Sequence, residues 1–302
     1  MIESRLLRAW GGGCARSFVV YIAAAVVMIG GFCCLTAGAF MLPIDDDAHF
    51  FIWGGLLLAF IFLVTGGVIA WGVGSIRKRA GELDAAFTPL GLTGKMYLQN
   101  GRQYHGTVRG HQVDVYVYRG PTLQIYLAAS LGTRVGISRK GSIQKIAANI
   151  LDKETLDVGA PGFEHLSIYP LDHRWTRELV TDPQAREIIL RLTEEQAAAE
   201  LRTLVIQPNA VLLQLNHTQI KNITPENVRA WIDDLWELAR IADGLYPPTK
   251  TAEESKLELT TRTERSKYTW PTIGITCGVF AVMVACMVGV AAIFILLTEG
   301  GF

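Results

Sequence analysis

The chain has 302 residues, 50% of them hydrophobic and 19% charged, with 28 basic and 28 acidic side chains in balance. That zero formal charge provides no bulk field for nucleic acid or for a strongly acidic ligand, so neither is expected as a partner. The apolar excess over an ordinary soluble domain is gathered in three blocks, 18–42, 50–74 and 272–297, each about 25 residues without Asp, Glu, Lys, Arg or His.

A hydrocarbon core is crossed by ~20 helical residues, so each block predicts a transmembrane helix. The first block follows Arg5, Arg8 and Arg16 and contains Ala37-Gly38-Ala39, which imitates a signal peptide with its cleavage site. Its apolar run exceeds the ~7–15 residues of a signal core, so it is expected to stay in the protein. The loop after it carries Asp45-Asp46-Asp47, whereas Arg77-Lys78-Arg79 follows the second block and Arg265 and Lys267 precede the third. Basic residues favour the cytoplasmic side, which places the N-terminus and the segment between blocks two and three inside and the C-terminus outside. The five cysteines, Cys14, Cys33, Cys34, Cys277 and Cys286, all lie in or beside the blocks, as a reducing compartment would allow. Asn216-His217-Thr218 and Asn222-Ile223-Thr224 match the glycosylation pattern, which would need the opposite orientation; the basic clusters favour coincidence.

After the second block a helix is expected at 79–87, stopped by Thr88-Pro89 and Gly91. A β meander follows, with strands near Tyr97, at 103–108, at 111–118 and 122–128 within "HQVDVYVYRGPTLQIYLAAS", and at 133–138. Alternation puts Val113, Val115, Val117, Leu123, Ile125 and Leu127 on a core face and Asp114, Tyr116, Tyr118, Gln124 and Tyr126 on the other. If Arg109-Gly110 is a two-residue turn, His105 opposes Asp114 and Tyr104 opposes Val115. Helices are expected at 143–151 behind Ser142, at 173–180 behind Asp172, and from Pro183 to about Leu201 behind Asp182. A second hairpin, 204–207 and 211–216, turns at Pro208-Asn209. The last helix starts at Thr224-Pro225, carries the stripe Val228, Trp231, Ile232, Leu235, Leu238, Ala239 and Ala242, and ends at Gly244. That stripe should pack on the valine and leucine face together with the helix near Ile188. The segment 249–266 is polar, lacks a hydrophobic face and reads as a linker.

The expected architecture is an α-helical membrane anchor of three transmembrane helices plus a cytoplasmic α+β domain built on an antiparallel β meander. It divides into an N-terminal hairpin (1–76), the α+β domain (77–248), a linker (249–271) and the third helix with a short tail (272–302).

Chemistry is read largely by exclusion. Gly136 to Ser142 and Gly101 to Thr107 keep phosphate-loop glycine spacing but lack the lysine after the second glycine. The histidines, His49, His105, His111, His165, His173 and His217, are scattered singly, and Asp172-His173 coincides with a helix cap, so no metal and no cofactor are expected. Arg139, Lys140, Gly141, Ser142 and Lys145 surround an expected helix N-terminus, where free N–H groups and cations could hold an anion such as a lipid headgroup; the alternative is a solvated basic turn. Tyr116, Tyr118 and Tyr126 form a candidate contact surface, for another chain, for the 249–266 segment or for the domain's own helices, since tyrosine suits partly buried contacts. Gly274, Gly278, Ala281, Ala285 and Gly289 follow one helical face, fit for packing within the anchor, with another membrane subunit or with a second copy. The blocks hold no ionisable residue or proline, which argues against transport by this chain alone.

Two helices around a short acidic loop, then "HLSIYPLDHRWTRELVTDPQAREIILRL" and "LVIQPNAVLLQL", resemble a class of bacterial membrane-anchored domains of unknown function. That class has a strand, an aspartate, a short helix, a Leu-x-x-Pro-like break and an amphipathic helix, here Tyr169, Asp172, Leu179 to Pro183 and Ile188 to Leu192, with one residue more in the break. The resemblance implies the architecture and brings no catalytic residues. The expected function is a non-enzymatic membrane scaffold or accessory subunit binding a protein partner or the inner membrane surface. The alternative is a membrane-tethered enzyme or ligand sensor with a site made of His105, Asp114, Tyr116 and Tyr126.

Overall fold

The computed structural model describes residues 30–31, 34, 46–97, 101–118, 122–140, 155–159, 162–193, 201–264, 274 and 278. The chain forms two units, Met1–Glu82 and Leu83–Phe302. Helix α1 runs without a break over Asp46–Phe87, so the expected second block and the helix at 79–87 are one element. It passes into a single turn of 3₁₀ helix, Thr88–Leu90, closed by Gly91 at φ +78°, where a side chain would be strained. Among the described residues no helix is long and apolar enough to cross a membrane, so the fold gives the three-helix anchor no support. The expected spans at 18–42 and 272–297 lie outside the described residues apart from single positions.

The second unit is built on one eight-stranded sheet: β1 (Thr93–Tyr97), β2 (Gly101–Val108), β3 (His111–Tyr118), β4 (Thr122–Ala128), β5 (Val135–Arg139), β6 (Leu166–Pro170), β7 (Leu201–Gln207) and β8 (Ala210–Asn216). The spatial order is β1-β2-β3-β4-β8-β7-β5-β6, and every neighbouring pair is antiparallel. The second hairpin therefore enters the sheet between β4 and β5. Arg109 and Gly110, at φ +50° and +84°, make the two-residue turn of β2 and β3. It sets His105 opposite Asp114 and Tyr104 opposite Val115, as the alternation predicts.

Among the described residues three helices cover one face: α2 (His173–Thr181), α3 (Pro183–Thr193) and α4 (Pro225–Asp243). Asp172 caps α2 by accepting the N–H groups of Arg174 and Trp175, Asp182 accepts that of Ala185, and Thr224 that of Asn227. All seven stripe residues of α4 are buried. They pack with Val113, Val115, Val117, Leu123, Ile125, Leu127 and, from α3, Ile188 in one core. Leu201, expected at a helix end, is the first residue of β7, and 194–200 lie outside the described residues, as does the expected helix at 143–151. The segment 249–264 also departs from its reading as a linker. It is laid against the sheet and contains a short helix, α5 (Lys256–Leu259), continued by a wider turn at Thr260–Glu264.

Candidate functional site: the polar aromatic sheet face

Register places Gln103, Tyr116, Gln124, Gln214, Thr203 and Ser138 in one row across strands β2, β3, β4, β8, β7 and β5, on the face away from the helices. The row is buried except for Gln214, which is half-buried. Burying amides and hydroxyls is tolerated when they bond one another. Gln103 Nε2 donates to Tyr116 Oη at 3.0 Å, Gln124 Nε2 to Gln214 Oε1 at 2.8 Å, and Gln214 Nε2 to Asn216 Oδ1 at 3.1 Å. The aromatic part surrounds it. Tyr97 meets Tyr116 and Tyr118 edge-on, with ring centres 5.2 and 6.2 Å apart, and Tyr116 meets Tyr126 at 6.1 Å. Tyr97, Tyr116 and Tyr126 form a second, small apolar cluster with Ala210 and Leu212; Tyr118 is half-buried at its edge.

The 249–264 segment is the strap on this face. Tyr116 Oη donates to the carbonyl of Arg262, 146 residues away in sequence. Asp172 Oδ2 accepts the N–H and hydroxyl of Thr249, each at 2.6 Å, and the N–H of Lys250 at 3.0 Å. Burial raises the Asp172 carboxyl, but these bonds and the Trp175 N–H outweigh it and hold the group well below the usual carboxylate range. Arg134 Nε and Nη2 donate to the two oxygens of Glu258 at 2.9 and 2.7 Å, and Nη2 also reaches the Glu253 carbonyl. Glu258 is 3% exposed; its burial raises the carboxyl, and Arg134 and Ser255 bring it below the ordinary value. Tyr116 is thus bonded to a distant segment of the same chain, and Tyr126 is 2% exposed.

His105 and Asp114 are brought together at the near end of the same face. His105 Nδ1 lies 2.7 Å from Asp114 Oδ1, and Gln112 Nε2 donates to Asp114 Oδ2 at 2.8 Å. The imidazole is 57% exposed and the carboxylate 5%. A carboxylate so placed fixes the orientation of the ring, but Tyr116 is already bonded to the strap and Tyr126 is 2% exposed, so the four residues do not form an open site. On the opposite, core-facing side, Tyr104 donates to Asp84 at 2.7 Å, Arg102 pairs with the same carboxylate, and the Phe87 ring stacks on Tyr104 at 4.3 Å. Burial and then Asp84 push the Tyr104 hydroxyl up, so it stays a proton donor. This cluster is an unforeseen polar clasp between the end of α1 and β2; sequence spacing of 18 and 20 residues leaves no local signal for it.

Of the anion candidates, Arg139 ends β5 opposite Leu166, and Lys140 is exposed with its N–H bonded to the His165 carbonyl. Gly141, Ser142 and Lys145 lie outside the described residues. Gly274 and Gly278 are helical and exposed, and among the described residues a Cβ on either would meet nothing within 4 Å; Ala281, Ala285 and Gly289 lie outside. Among the described residues no group of three or more His, Cys, Asp or Glu could hold a metal ion. Asn216 and Thr218, of the first glycosylation pattern, are both buried.

No family model and no curated protein matches the chain. A solved structure, that of the mycobacterial trehalose monomycolate transport factor A, TtfA, is 13% identical and covers 59% of this chain and 99% of its own, at a TM-score of 0.40. That likeness is too low to carry fold or function from one chain to the other.

Proposed function

We propose that the chain is a non-enzymatic integral membrane scaffold or accessory subunit, anchored by helices at 18–42, 50–74 and 272–297. Its N-terminus and α+β domain are cytoplasmic and its C-terminus outside, and the domain binds a protein partner or the inner membrane surface. The observation that carries the reading is α1. Between 50 and 74 it has no charged residue, and Leu56, Leu63, Trp71 and Val73 there, with Ile76 just beyond, are left exposed, Leu63 by 75% and Trp71 by 67%. Exposed apolar side chains along an uncharged run favour lipid or another apolar surface around them, since each exposed Leu forgoes ~1.5–3 kcal/mol of burial. Among the described residues nothing lies within 4 Å of a Cβ placed on Gly274 or Gly278, which suits close approach of another helix, from a second subunit or a second copy.

Purification from native membranes in mild detergent tests the proposal. The particle should be heavier than one 33.2 kDa chain with its detergent, and Gly274→Leu with Gly278→Leu should reduce it toward a single chain. A wild-type chain that always runs as a lone monomer overturns it. The second reading, a tethered enzyme or ligand sensor, is favoured by the His105–Asp114 pair alone. His105→Ala would leave partner retention unchanged under the scaffold reading and abolish the activity or ligand response under the other.

A further inference from the structure

The strap is bound to the sheet in an unusual way. Its leucines face outward, Leu257 57% and Leu259 43% exposed, while the side chain its short helix buries is the ionised Glu258. A segment held by the hydrophobic effect would do the opposite. What holds it is polar throughout: Thr249 and Lys250 on Asp172, the Ala252 N–H on the Gly132 carbonyl at 2.8 Å, Arg134 on Glu253 and Glu258, and Tyr116 on the Arg262 carbonyl. Arg262 further closes on Glu254 at 3.0 Å and on the Asn209 carbonyl at 3.2 Å. Hydrogen bonds and buried ion pairs yield little net free energy, because water satisfies the same groups when the contact opens. The sheet and its helices are held instead by a continuous apolar core in which most members are under 5% exposed. Two parts of one domain held so differently open at different free energies.

We propose that residues 249–264 are a releasable strap: parting of the Asp172 and Arg134 anchors frees the segment and uncovers the Tyr116 hydroxyl while the sheet stays folded. The proposal concerns release alone and stands apart from the scaffold reading.

Hydrogen exchange of the full detergent-solubilised chain decides the matter. In the wild type, amides of 249–264 should exchange through an opening with a shallow dependence on sub-denaturing urea, because little surface is exposed, and amides of β3 and β4 through a steep one. Arg134→Met should speed exchange in the strap by ~10-fold or more with β3 and β4 unchanged, and should make Tyr116 reactive to an oxidative footprinting reagent. Arg134→Glu combined with Glu258→Arg should restore protection. Equal urea slopes for strap and strands overturn the proposal, since cover and sheet then unfold together; so does a Tyr116 that stays unreactive with the strap open. If the strap releases as expected and no partner is retained on purification, the scaffold reading fails and the strap stands.

Discussion

Asp172 performs two jobs through its two oxygens, and substitution separates them. Oδ1 accepts the N–H groups of Arg174 and Trp175 at 3.0 Å each, capping α2, while Oδ2 holds Thr249 and Lys250. Loss of an N-cap costs about 1 kcal/mol. The three bonds on Oδ2 go to a charged acceptor, but Thr249 and Lys250 are exposed and regain water once released, so together they contribute about 2 kcal/mol and not three separate full bonds. Asp172→Ala should therefore destabilise the domain by about 3 kcal/mol, or ~6–12 °C in Tm for a unit of this size. Asp172→Asn keeps one carbonyl oxygen for the cap and turns an NH₂ toward three donors; it should lose the strap share, about 2 kcal/mol, and leave α2 intact. Urea unfolding in mild detergent, with hydrogen exchange read separately over α2 and 249–264, measures both. An Asn variant that loosens the first turn of α2 as much as the Ala variant, or an Ala variant costing under ~0.5 kcal/mol, refutes the assignment of one oxygen to each job.

Acid should loosen the strap before the core. Asp172 and Glu258 have folded values below their unfolded ones, so the stability they lend is complete above the ordinary carboxylate range of ~4 and is lost as pH falls through the folded values; exchange in 249–264 should rise below about pH 4 while β4 stays protected. Tyr116→Phe removes a hydroxyl that accepts from Gln103 and donates to Arg262, and should cost about 1–3 kcal/mol in urea unfolding, with the loss largest for strap amides. Ile125→Ala, at a position 0% exposed between β3 and β8, should cost about 2–5 kcal/mol and, unlike the strap variants, accelerate exchange in strands and strap alike.

The meander was legible because two local signals agree. The alternation of Val113 to Val117 and Leu123 to Leu127 defines a face, and Arg109-Gly110 fixes the register, so a slip would turn every valine to the wrong side. The α4 stripe was equally plain, bounded by Thr224-Pro225 and Gly244. Where sequence reasoning stopped short, the cause was distance along the chain. Segment 249–264 has no apolar period and reads as a linker, yet it is ordered by Arg134, 124 residues before Glu258, and by Asp172, 77 before Thr249. An ion pair and hydrogen bonds of that separation leave no trace in local patterning. The strand character of Leu201 was hidden in the same way, since β7 owes its place to pairing with β5 and β8 and not to the helix expected before it. On the tyrosine face the alternation placed Tyr116 and Tyr126 on one side of the sheet, whereas the Arg262 carbonyl that Tyr116 bonds, 146 residues away, left no local signal.

The central claim, a strapped α+β domain held on the inner side of a membrane, is tested most directly at Tyr246, which is 76% exposed beyond α4. In a chain with its five cysteines replaced by serine and Tyr246→Cys introduced, a membrane-impermeant maleimide should label the protein only after cells are permeabilised. Labelling of equal extent in intact cells would place the domain outside and contradict the account.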